Sequence, residues 1–316
     1  MDEEQLVRFL QKAFDFSGGK GIGDDAAVMP LSGHAANAFR IVAKDLFVQG
    51  THFDLAYFTL SEAAEKAVGA NVSDMAAMGG LGKEIYLGIG FPPKGNRTEF
   101  QAVFRGIRKA CRRWNLQLGG GDVSKAPCWF FSVTICGHAV RPVFRDGARD
   151  GDAVGLVGRT GESALGLRLL QSKIPDPVYP RRHVRINPPL RAALELGRVA
   201  SAMIDVSDGL LKDLKRLLSA SRVGAELWVD KIPITRGMQH CCKLNNWDPL
   251  QLALTGGEDY ALLFTISPAR LPLLDAAGIP HRIIGRIHKS PQRLVLTRGG
   301  RSMEAPAGGY DHFLSG

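Results

Sequence analysis

The sequence predicts an α/β (α+β) protein built in two halves. Helix-period and strand-like segments alternate along the whole chain, the pattern of mixed layered folds. A polar stretch rich in Gly and Asp, residues 141–152, interrupts that alternation near the middle, as interdomain connections do. The 316 residues, 45% hydrophobic and 22% charged, are enough for two ordinary domains with their own cores. The expected division is residues 1–140 and 141–316.

In chain order, residues 3–15 read as a helix, with Leu6, Phe9, Leu10 and Phe14 on one stripe. Residues 39–45 read as a strand. Residues 61–78 read as a helix with Ser61 as N-cap and Ala64, Ala67 and Val68 on its apolar face. Residues 84–91 read as a strand. Residues 97–115 read as a helix, with Phe100, Val103, Phe104, Ile107 and Cys111 aligned. The run 129–139 is β-rich. Beyond the connection, 154–157 starts a new strand and 161–170 is helical. Residues 172–189 hold five prolines and read as an extended loop. Helices follow at 190–201 and 208–221, with strands at 225–230 and 261–267.

Composition excludes several classes. No uncharged apolar run approaches the ~18 residues of a membrane span, and the acidic start lacks the basic and apolar regions of a secretory leader. Five cysteines, an odd number without a CxxC pair, fit a reducing cytoplasm. The net charge of +9 comes from short scattered groups such as Arg112-Arg113, not from an aromatic-interleaved platform. This argues for a solvated surface and anionic small substrates rather than nucleic acid.

The chemistry lies in acids that recur beside glycine or small residues. They are Asp24 and Asp25 after Gly23, Asp45 after Lys44, Asp74 after Ser73, and Asp122 after Gly121. Asp205 and Asp208 precede Gly209, and Glu258 and Asp259 follow Gly257. Each alone has an ordinary explanation as a turn or cap. Several converging together require neutralisation, since two carboxylates ~4 Å apart repel by ~4 kcal/mol at an effective dielectric near 20. Oxygen ligands without a Cys or His set point to Mg²⁺, which carboxylates usually bind together with phosphates. Gly119-Gly120-Gly121 is a candidate phosphate-approach segment. Walker A, a complete GxGxxG turn, the protein-kinase signatures and nucleophile elbows are all missing.

Eight stretches in order carry a resemblance: 21–28 (GIGDDAAV), 45–54 (DLFVQGTHFD), 71–80 (NVSDMAAMGG), 120–122 (GGD), 145–152 (RDGARDGD), 204–214 (IDVSDGLLKDL), 255–264 (TGGEDYALLF) and 309–313 (GYDHF). Together the chain resembles the thiamine-monophosphate kinases, within the superfamily of aminoimidazole ribonucleotide synthetase. The resemblance implies that two-domain fold, with an N-terminal domain that binds ATP and Mg²⁺ and dimerises through its sheet. A C-terminal α/β domain would close the site. It implies a cytoplasmic homodimer that uses ATP to phosphorylate thiamine monophosphate, with several Mg²⁺ ions.

Carried over by position, Asp25, Asp45, Asp74, Asp122, Asp205 and Asp208 are the implied Mg²⁺ ligands, with Asp24 beside them. Phe104, Gly121, Asp122, Arg145 and Ser207 are implied nucleotide contacts, and His52, Glu258 and Tyr310 substrate contacts. No residue is implied as general base, because a phosphate acceptor is already anionic. Lys44 stands where the family has a hydroxyl, so its ammonium either replaces one metal or points elsewhere. Val123-Ser124-Lys125 replaces Thr-Thr-Arg, exchanging a planar fork for a point charge. The alternatives are a superfamily enzyme with another acceptor and a non-catalytic nucleotide- or RNA-binding protein.

Overall fold

A computed structural model describes residues 3–13, 16, 19–31, 39–291 and 293–306. The first half comprises α1 (Glu3–Ala13), β1 (Ala27–Pro30), β2 (Phe39–Val48), α2 (Leu60–Ala77), β3 (Leu81–Phe91), α3 (Arg97–Trp114), β4 (Gln117–Lys125) and β5 (Phe130–Ala139). The second comprises β6 (Ala153–Val157), α4 (Glu162–Gln171), α5 (Tyr179–Val184), α6 (Leu190–Val199), β7 (Ala202–Asp205), α7 (Leu210–Ser221) and β8 (Gly224–Trp228). It continues with α8 (Arg236–Leu244), α9 (Pro249–Thr255), β9 (Leu262–Ile266), α10 (Leu271–Ala276), β10 (Arg282–His288), β11 (Leu294–Arg298) and β12 (Arg301–Met303).

Two sheets organise these elements. The first has strand order β1-β2-β5-β3-β4 and the second β12-β11-β8-β10-β6-β9-β7. In the first sheet only β3 and β4 run parallel, joined by α3 as a crossover needs. Helices α2 and α3 cover one face. Ile41, Ala43 and Phe47 of β2 point into that core, together with Ile85, Leu87, Val133 and Ile135. Residues of the opposite parity, including Lys44, Leu46 and Tyr86, remain exposed.

Helix α2 is buried on nearly every side, from Ala63 through Ala77. It packs on the first sheet and also reaches β7 and α6 of the second half. Its N-terminus carries a capping box: Glu62 N donates to the Thr59 hydroxyl and the Glu62 carboxylate accepts from Thr59 N. Thr59, not Ser61, is therefore the cap. Helix α3 lies so close that a Cβ on Gly106 would fall 2.1 Å from Ser61 O.

Some expectations need correction. The candidate phosphate-approach run Gly119-Gly120-Gly121 is part of edge strand β4. Glycine is required there by strand packing, since a Cβ on Gly121 would sit 2.1 Å from Leu87 O. The proline-rich segment 172–189 contains the short helix α5, with Pro180 in its first turn, where a missing N–H costs nothing. The expected helix start at 208 moves to Leu210, after Gly209.

Candidate active site

The site forms where helix α2 of the first half packs against β7 of the second. Asp25 lies in the turn before β1, Asp74 in the last turn of α2 and Asp205 at the end of β7. One carboxylate oxygen from each lies within 4.8 Å of the others. Helix α2 brings them together: Ser73 donates its hydroxyl to Asp205 Oδ2 at 2.6 Å, across the two halves. Desolvation and mutual repulsion push the Asp74 and Asp205 carboxyls well above their ordinary range, with Asp45 adding to the field at Asp74. Burial raises Asp25 as well, against the attraction of Arg145. A buried trio of acids that oppose one another's ionisation is matched chemically by a divalent cation with oxygen ligands. The donor set therefore fits Mg²⁺.

Arg145, from the connecting segment, grips Asp25 through Nη2 and, at 3.3 Å, through Nε. Its backbone N–H donates to Asp24 at 2.7 Å. Burial opposes the Arg145 charge, but Asp25 and Asp24 outweigh it and hold the guanidinium firmly protonated. Asp24 also receives Lys20, whose ammonium bridges to Asp146, both at 2.8 Å.

After β7 the chain turns through Ser207, Asp208 and Gly209 into α7. The Asp208 carboxylate is engaged by Lys212 at 3.0 Å and Arg216 at 2.8 Å. It is thus an ion-pair partner rather than the cap of α7. The turn is tied to the neighbouring loop, because Glu258 N donates to Ser207 O at 2.7 Å.

Glu258 forms the second centre. Its carboxylate meets Lys66 Nζ at 2.9 Å and His183 Nδ1 at 3.4 Å. Lys66 is fully buried in α2, with its ammonium 5.3 Å from the Phe58 ring centre and 5.9 Å from that of Phe47. Burial lowers the Lys66 pKa and Glu258 partly restores it. Burial works against the Glu258 charge too, but the Lys66 ammonium outweighs it and holds the carboxyl below its ordinary pKa. Glu258 and Tyr260 both hold left-handed backbone, φ 62° and 50°, a strained arrangement typical of functional loops. Between them, Asp259 accepts N–H bonds from Gly161 and Ser163 and so caps α4. Burial pushes its pKa up to about 7.

The remaining expected residues divide. Asp45 shares the α2 face with the cluster and acts on Asp74 electrostatically. His52 is half-buried beside Phe47, its Nδ1 accepting from Val48 N at 3.1 Å. Phe104 packs against Phe100 on α3. Lys44 is not brought to the carboxylates. It points to the open face of the sheet and donates to Ser132 at 2.6 Å and Thr134 at 3.3 Å. Asp122 does not join the trio either: its register row runs through Gly88 and Ser132 to Leu46, on that same open face, whereas Gly121 shares the row of Asp45. Tyr310 lies outside the described residues. Sequence reasoning passed over Lys66, His183, Asp213 and Arg216. The one visible signal was Lys66, the single cation of α2, in a helix otherwise rich in alanine.

Comparison with known proteins agrees with this architecture. Residues 23–139 match the N-terminal domain of AIR synthase related proteins and residues 149–296 the C-terminal domain. A thiamine-monophosphate kinase of Buchnera aphidicola is 32% identical, covering 93% of each chain. One from Salmonella typhimurium is 33% identical over 93% of this chain and 92% of its own. A solved structure described as AaThiL complexed with AMPPCP and TMP superposes with a TM-score of 0.88 at 29% identity, covering 99% of this chain and 97% of that one. By sequence, by both domain families and by fold, the chain belongs to the thiamine-monophosphate kinase family of AIR synthase related proteins.

Proposed function

We propose that this protein transfers the γ-phosphoryl group of ATP to thiamine monophosphate, giving thiamine diphosphate and ADP. The observation that carries the reading is the convergence of Asp25, Asp74 and Asp205 where α2 packs against β7, in a chain of this family. Both substrates bring anionic phosphates together, and the acceptor oxygen is already anionic, so the reaction needs charge neutralisation and alignment rather than a base. Mg²⁺, held by Asp25, Asp74 and Asp205 with Asp45 beside them, supplies that neutralisation when bound.

The chain's own groups do the rest. Arg145 fixes the orientation of Asp25, and Ser73 that of Asp205. Ser207 and Gly121 are the proposed nucleotide contacts, with Phe104 an aromatic surface on α3. Lys66 keeps Glu258 ionised, and a carboxylate is a suitable partner for the thiazolium cation of the substrate. His52 and Tyr310 complete the proposed substrate contacts. Lys44 has no part in this account, given its bonds to Ser132 and Thr134. Asp24 acts through Arg145 and Lys20 rather than as a ligand.

A division into two domains at about residue 140 is part of this reading, and the separate sheets of the two halves support it. The uncovered face of the first sheet, with Lys44, Leu46, Tyr86 and Asp122, is the proposed contact between two copies of the chain, which would place Asp122 at the dimer interface. A cytoplasmic location accords with five free cysteines and with the finding that no helix among the described residues is long and apolar enough to cross a membrane.

Incubation with ATP, Mg²⁺ and thiamine monophosphate, read by mass detection, tests the reading. Thiamine diphosphate formed only with Mg²⁺ present is expected. Bound nucleotide without any product would overturn it in favour of another acceptor.

A further inference from the structure

Asp213 is the least exposed acid near the site, at 0% relative exposure in the first turn of α7. Its Oδ2 accepts three consecutive backbone N–H groups, from Ser207 at 3.1 Å, Asp208 at 3.0 Å and Gly209 at 3.2 Å. Its Oδ1 accepts from Arg216 Nη1 at 2.9 Å. The other terminal nitrogen of Arg216 meets the Asp208 carboxylate at 2.8 Å. One buried carboxylate thus holds the turn by its backbone, and through Arg216 also by its side chain. Gly209 at φ 120° gives the turn a conformation that other residues rarely adopt, so the turn depends on such a clamp. Arg216 is also close enough to act on Asp25 electrostatically.

We infer that Asp213 is a positioning residue for cation binding: it sets the 205–209 turn so that Asp205 presents to the carboxylate cluster in one fixed geometry. The inference rests on the metal reading of that cluster. Hydrogen-bonded partners behind metal ligands typically alter affinity 10- to 100-fold when lost. A residue that merely capped α7 would alter stability and leave cation affinity alone.

The test uses Mn²⁺ as probe, with binding to the full chain measured calorimetrically without substrates, beside steady-state kinetics in Mg²⁺. Asp213→Asn is expected to weaken Mn²⁺ binding at least tenfold. It is also expected to raise the Mg²⁺ concentration for half-maximal rate, with KM for thiamine monophosphate within about twofold of wild type. Arg216→Gln keeps the three backbone bonds and should weaken Mn²⁺ binding in the same direction by a smaller factor; it decides the matter if Asp213→Asn does not fold. Unchanged Mn²⁺ affinity in the folded Asp213→Asn protein, or in Arg216→Gln alone if only that folds, overturns the inference. Absence of Mn²⁺ binding by the wild type overturns instead the metal reading beneath it.

Discussion

His183 sits buried between Tyr57, Phe58 and Ser163, and its imidazole is held neutral. Burial and the nearby Lys66 ammonium lower its pKa to about 4, despite the pull of Glu258. The sign of the consequence follows from linkage. From about pH 6.5 down to about 4 the unfolded chain binds this proton and the folded chain does not, so folding stability falls as pH falls, by up to about 1.4 kcal/mol per unit. His183→Gln should flatten that acid limb when urea midpoints are compared at pH 7, 6 and 5. Parallel limbs for both proteins would show that the imidazole charges without cost. At this scale the sequence was partly legible. Aspartates beside glycine announced themselves because a turn exposes its composition locally. Lys66, Asp213 and Arg216 did not, because their roles arise from partners distant in sequence or from a backbone turn that composition does not display. Lys44 and Asp122 show the same limit from the other side. Their motif neighbours are suggestive, yet strand parity directs both side chains to the open face.

Helix α2 is the element on which the site depends. It delivers Lys66 to Glu258, Ser73 to Asp205 and Asp74 to the cluster, all from one rigid segment. Its position depends on α3, whose Gly106 admits the Ser61 carbonyl against its backbone. Gly106→Ala should destabilise the protein by about 1 to 3 kcal/mol through overpacking, even though alanine favours a helix by ~1 kcal/mol over glycine. A lowered denaturant midpoint with unchanged slope is expected; a raised midpoint would mean that the helices separate freely. Most helices and central strands were readable from periodicity because each has one face in the core. Strand β4 was not: as an exposed edge rich in glycine it has no apolar alternation to read. Strands β10 to β12 and helices α8 to α10 are short, and their burial is set by the second sheet rather than by local pattern.

On the scale of the whole molecule, the division of labour explains the arrangement of the acids. Asp25 and Asp74 belong to the first half and Asp205 to the second, so the cluster exists only when the halves pack. Packing them carries a desolvation and electrostatic cost, visible in the raised carboxyl pKa values, which the proposed cation would offset. On the proposed metal reading, cation binding would therefore be coupled to packing of the two halves by the same charges. The most direct test is Asp74→Asn, which removes one charge without changing shape. The account predicts a folded protein whose Mg²⁺-dependent formation of thiamine diphosphate drops at least a hundredfold. It also predicts that the melting temperature no longer rises on adding Mg²⁺ as the wild type's does. Activity and a Mg²⁺-induced rise equal to those of the wild type would contradict it.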